Sequence, residues 1–136
     1  MKTQTGFSLI EVLVSIVILS VALLGTAGLM GASMRNTNTA YMRSQATVLA
    51  DDYLDRMRTN TTDALAGNYD VDFGPSCSAG GGLAGWDCTE WTGNVTATLP
   101  DGDAEVRMNG RVVTVTINWG DDANGDANSF VTQSRL

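Results

Sequence analysis

Apolar residues run from Phe7 to Met34 with one acid among them, Glu11, and no charged side chain follows until Arg35. As a helix this stretch is long enough to cross a bilayer's hydrocarbon core at ~1.5 Å per residue. After Met34 the pattern becomes amphipathic. Met42, Ala46, Leu49, Tyr53 and Met57 recur at steps of three and four, with Ala50 and Leu54 widening the same face and Arg43, Gln45, Asp51, Asp52 and Asp55 opposite. No proline occurs before Pro75, so one helix is predicted from about Ser8 to about Arg58, roughly 75 Å long. Thr59 to Thr62 favours an end, and a further turn to Ala66 would stop at Gly67.

The rest of the chain reads differently. Gly67 to Gly85 has loop composition. Asp87-Cys88-Thr89-Glu90 fits a capping box, and Trp91, Val95 and Leu99 follow at four-residue steps toward Pro100, predicting a short helix. The alternation in Val95–Leu99 also fits a strand. Ala104–Met108 reads as a strand, Asn109-Gly110 as a hairpin turn, and Arg111–Trp119 as the returning strand. Ser129–Gln133 is predicted as a third, edge strand. Val113, Val115, Ile117 and Trp119 form the expected core face, packed on the amphipathic part of the long helix. The class is α+β.

A lone acid in such a run is costly. Insertion scales put a carboxylate at the centre of a membrane helix at about 2.5–3.5 kcal/mol. An ordinary secretory signal has a shorter apolar core and its cut site at the far end, which this pattern does not match. Glu11 needs a cation that its own segment does not offer. Gly6-Phe7-Ser8-Leu9-Ile10-Glu11, which begins at the last residue of the polar leader Met1–Gly6, resembles the prepilin cleavage site of type IV pilins and their secretion-system relatives. The resemblance implies the type IV pilin fold, with a peptidase cutting between Gly6 and Phe7 and methylating the new terminus at Phe7. The freed amine then supplies a cation for Glu11 of a neighbouring subunit, which neutralises two charges that lipid disfavours. Ala40-Tyr41-Met42-Arg43-Ser44 and the segment Leu49–Asn60 are similar to the minor pilins of the type IV pilus modification (PilV) family.

That resemblance divides the chain into a leader (1–6), a transmembrane and filament-core helix half (7–34), an amphipathic half (35–66) and a small periplasmic region (67–136). It implies an inner-membrane precursor that passes into a pilus, at tip or shaft. Implied partners are the prepilin peptidase, an assembly platform, major and other minor pilins, and a tip adhesin. Twitching motility and adhesion are implied consequences. The alternative is a minor pseudopilin of a type II secretion system.

Composition narrows the chemistry. The net charge of -7, on 136 residues, argues against nucleic acid as a partner. The absence of histidine removes the commonest general base and metal ligand. No nucleophile–base pair or metal cluster is apparent, so neither enzyme nor cofactor is expected. Cys77 and Cys88 read as one disulfide in an exported domain, against two free thiols in a reducing compartment. Asp122, Asn124 and Asp126 have calcium-loop spacing, but Ala127 replaces the usual glycine and no distal Glu follows, so an acidic turn is expected and no metal. Gly25, Gly28 and Gly31 read either as close helix packing or as a zone that loosens during assembly. Asp55, Arg56 and Arg58 read as a solvated face with local charge pairs. Trp86 and Trp91 leave room for a membrane-anchored binding module, although tryptophan here fits a core role better.

Overall fold

The computed structural model describes residues 6, 8–74, 77, 81–121 and 127–136. The elements are α1 (Leu9–Thr59), α2 (Thr61–Leu65), α3 (Leu83–Thr98), β1 (Asp103–Asn109), β2 (Val112–Asp121) and β3 (Ala127–Arg135). The chain divides into two compact units, Met1–Ala40 and Tyr41–Leu136.

In the first unit α1 is a lone helix. Every described side chain in it is exposed, including Leu9, Leu13, Ile18, Leu24 and Met30. Its most apolar window has a mean hydropathy of 2.5, enough by length and composition to cross a membrane. Several hydroxyls within the helix are turned back onto it. Ser15 donates to the Glu11 carbonyl at 2.7 Å, Ser20 to that of Ile16 at 2.7 Å and Thr26 to that of Leu23 at 2.9 Å. Such back-bonding lets hydroxyl groups enter an apolar solvent without an orphaned donor.

The second unit holds the core. From α1 it takes Ala46, Leu49, Ala50, Tyr53, Leu54 and Met57, the apolar face that the three-and-four spacing predicts. The antiparallel sheet has the order β1-β2-β3. Its inner face carries Ala104 and Val106 from β1 and Val113, Val115, Ile117 and Trp119 from β2, all buried in one cluster with the α1 residues. From α3 the cluster takes Ala84, Cys88, Trp91 and Val95. The long helix and small antiparallel sheet make an α+β fold consistent with the pilin fold.

Several local expectations are corrected. The capping box at Asp87 does not form. α3 begins four residues earlier, at Leu83, after Gly82 (φ 84°), and Asp87 lies inside it with a buried side chain. Its carboxylate serves tertiary partners and not the helix terminus. The Gly67–Gly85 loop is correspondingly shorter. It also contains a bridge between Val71 and Val106. The alternating Val95–Leu99 segment is helical to Thr98, with Leu99 extended as it leaves toward Pro100. Gly102 has no room for a side chain, since a Cβ would lie 2.7 Å from the Val95 carbonyl oxygen. In the hairpin Asn109 still pairs with Val112, so the two-residue loop is Gly110-Arg111. Gly110 takes φ 63° at the first central position, as a type II′ turn requires. β3 is longer at both ends than Ser129–Gln133 because β2 pairs with it from Val112 to Asp121.

Candidate assembly site

The N-terminal site is a helix beginning with an acid in its first turn. The Ser8 carbonyl accepts from the Glu11 amide at 3.0 Å and the Val12 amide at 3.3 Å, which starts α1. Glu11 lies in that first turn, where the positive end of the helix dipole favours a carboxylate. It shares a face with Ser15 and Leu19 at four-residue steps and is exposed. No ion pair to Glu11 occurs among the described residues. The Ser15 hydroxyl is spent on the Glu11 backbone carbonyl and not on its carboxylate. Gly6 is exposed, and a Cβ there would meet nothing within 4 Å. Steric crowding within the chain therefore does not require a glycine at this position. Phe7, the expected new terminus, lies outside the described residues.

In the second unit Cys77 and Cys88 form a disulfide, with Cα atoms 5.9 Å apart. It fastens the segment after Val71 to the buried face of α3. Beside it is a polar cluster that the sequence pattern did not disclose. Arg56 bonds Glu90 at 2.7 Å, Asp52 at 3.1 Å and Asp87 at 3.2 Å. The other Asp87 oxygen accepts from the Tyr69 hydroxyl at 2.7 Å. Tyr53 donates to the Tyr69 carbonyl at 3.1 Å and stacks on Trp91, with ring centroids 4.2 Å apart. Trp91 donates its indole N–H to the Leu49 carbonyl at 2.7 Å.

The expectation of local pairs thus holds for Arg58 with Asp55, three residues apart, and for Arg56 with Asp52, four apart, but Arg56 also reaches Asp87 and Glu90 and so ties α1 to α3. Arg56 is separated from Asp87 and Glu90 by 31 and 34 residues, and no local periodicity records that distance. The only sequence signal was an acid within an otherwise apolar stripe of α3. Burial pushes the Tyr53 hydroxyl well above its ordinary pKa, reinforced by Tyr69 and by the Asp87 and Asp70 carboxylates. Tyr69 is raised as well, first by burial and then by its bond to Asp87.

Of the two tryptophans considered as a ligand platform, Trp91 is fully buried and Trp86 is exposed. Trp91 is therefore core, and the paired platform does not exist. Among the described residues no group of three or more His, Cys, Asp or Glu gathers to hold a metal. Asp122, Asn124 and Asp126 lie outside the described residues.

Residues 1–27 match the family model of the prokaryotic N-terminal methylation motif. No curated protein and no solved structure matches the chain. The matched residues span Gly6, Phe7, Glu11 and most of the exposed apolar helix. The chain is thus type IV prepilin-like at its N-terminus, and the apolar helix behind the motif is compatible with single-pass membrane anchoring.

Proposed function

We propose that the chain is a minor pilin, a structural subunit that helps initiate assembly of a type IV pilus. The observation that carries this reading is the methylation motif leading directly into a wholly exposed apolar helix with one exposed acid in its first turn. Before assembly the helix sits in lipid and the unit from Tyr41 onward stays on the periplasmic side. A prepilin peptidase cuts after Gly6 and methylates the Phe7 amine. In the filament the apolar side chains exchange lipid for the helices of neighbouring subunits, so little apolar surface meets water at any stage. Glu11 pairs with a neighbour's terminal amine and sets the axial register, since an unpaired charge in that surrounding is expensive. The resemblance of Ala40–Asn60 to the PilV family favours a pilus over a secretion pseudopilus. Other pilins and an inner-membrane platform are its partners under this reading.

The test separates processing from assembly. Glu11→Ala is expected to be cleaved normally and to reach filaments poorly, measured by mass spectrometry of the terminus and immunoblotting of sheared pili. Gly6→Val is expected to leave the precursor uncut. Normal incorporation of Glu11→Ala would remove the pairing mechanism, and an intact Met1 leader on the assembled protein would remove the processing step. Co-purification with secretion components in place of pilus components would select the pseudopilin reading.

A further inference from the structure

The two outer edges of the sheet are finished differently. On β1 the outward N–H groups are all occupied. Ala104 donates to the Asp103 carboxylate at 2.9 Å, Val106 to the Val71 carbonyl at 2.9 Å, and Met108 to the Asp70 carboxylate at 3.1 Å. On β3 none of the corresponding groups has a partner among the described residues. Leu136 donates to the Arg111 carbonyl, and bonding alternates along an antiparallel pair, so the even-numbered residues of β3 bond β2. The N–H and C=O groups of Ser129, Val131, Gln133 and Arg135 therefore point away from the sheet, and all four residues are exposed. Sheet edges are ordinarily guarded by proline, lysine, inward charges or a covering segment. From Ala127 to Gln133 β3 has no proline and no charge.

The edge also has a charged end. Arg135 closes β3. Arg111 lies beside it across the hairpin and donates to the Leu136 carbonyl at 2.9 Å. Arg135 has no acidic side chain paired with it among the described residues, and Arg111 is engaged by the Leu136 backbone oxygen, whereas Arg58, which reaches Ser134, is paired with Asp55. On a chain of net charge -7 this is a local reversal of sign.

We propose that the β3 edge is a strand-addition site for an extended segment of a different protein, carrying an acidic side chain where it meets Arg135 and Arg111. The segment's backbone completes the unpaired ladder at Ser129, Val131, Gln133 and Arg135, and its acid supplies a counter-charge to Arg135. A second copy of this chain is a poorer occupant. Antiparallel β3–β3 pairing is related by a two-fold axis normal to the sheet, which reverses the Tyr41–Thr59 part of α1 packed on it. Two subunits anchored in one membrane by the same end have their helices running the same way (this point alone rests on the anchored-pilin reading). Joining two copies would also bring together two chains of like net charge.

The test uses the full chain in detergent micelles, with a ten-residue peptide of alternating Thr and Val ending in Glu, and the same peptide ending in Lys. Amide hydrogen exchange at Ser129, Val131, Gln133 and Arg135 is expected to slow by about ten-fold with the Glu peptide and less with the Lys peptide. Arg135→Glu is expected to reverse that preference. Val131→Pro is expected to abolish the slowing while exchange in β2 stays protected, because proline is tolerated on an edge but removes the N–H. If that variant unfolds, Val131→Lys provides the same block through charge. In cells, a photocrosslinking residue at position 133 is expected to join a different protein through a segment containing Asp or Glu. Absence of slowing with both peptides would overturn the site, and equal slowing by both would overturn its charge preference. Slowing that grows with protein concentration without peptide, or a crosslinked self-dimer, would replace the foreign segment by a second copy. The exchange measurements need no filament, so their failure is distinct from failure of the pilin reading.

Discussion

At the scale of single residues, Asp87 separates structural charge from decorative charge. It is the one buried charged side chain among the described residues, and both its oxygens are used, one by Arg56 and one by Tyr69. Asp87→Ala leaves the Tyr69 O–H without an acceptor, although Asn60 still donates to its oxygen at 3.3 Å, and removes one of the three acids around Arg56. Since leaving a buried polar group unsatisfied costs about 1–3 kcal/mol, urea unfolding of this variant is expected to show a loss of about 2 kcal/mol. Asp55→Ala, which breaks only the exposed pair with Arg58, is expected to change stability by less than about 0.5 kcal/mol. Tyr53 gives a pH signature. Its folded pKa is raised above the unfolded value near 10, so the folded state holds this proton more tightly. The stabilisation is fully present below about pH 10 and is lost as pH rises further toward the folded value. Circular dichroism of the melting transition from pH 8 upward is expected to show a falling Tm only on the alkaline side of that point.

At the scale of elements, the readable parts are those specified by local period. Ala46 to Met57 recurs as a helix face, Val113 to Trp119 alternates as a strand face, and both reappear as the core. The acid at Glu11 and the long apolar run were equally plain, because a membrane helix is defined by composition along one segment. What escaped was decided by contacts distant in sequence. Asp87 looked like a helix cap because the sequence cannot show that Arg56 and Tyr69 occupy its oxygens. Gly82 opening α3, the Val71 bridge and the full length of β3 are likewise set by neighbours brought in by folding. The disulfide belongs to this scale too. Its cysteines are 11 residues apart, and closing such a loop stabilises by about 3 kcal/mol in the chain-entropy account. Cys77→Ser/Cys88→Ala is expected to lower the urea midpoint by a corresponding amount. The segment around Val71 is expected to become the first site of limited proteolysis. Equal midpoints for this variant and the parent would show that α3 holds that segment unaided.

At the scale of the whole molecule, the division at Ala40 has a practical meaning. Every buried residue among those described lies at Ala46 or beyond. The exposed apolar half, long enough to cross a membrane, and the half that folds around a core share a continuous helix but no buried side chain. Deleting the chain up to Arg35 therefore removes the greasy stem without opening a cavity. The shortened protein is expected to dissolve without detergent and to melt within a few degrees of the parent in micelles. A scanning calorimeter checks this directly, and a broad, uncooperative trace would show that the head leans on its stalk. Swapping stalks between such proteins would then alter where each one travels while leaving what its head can grasp untouched.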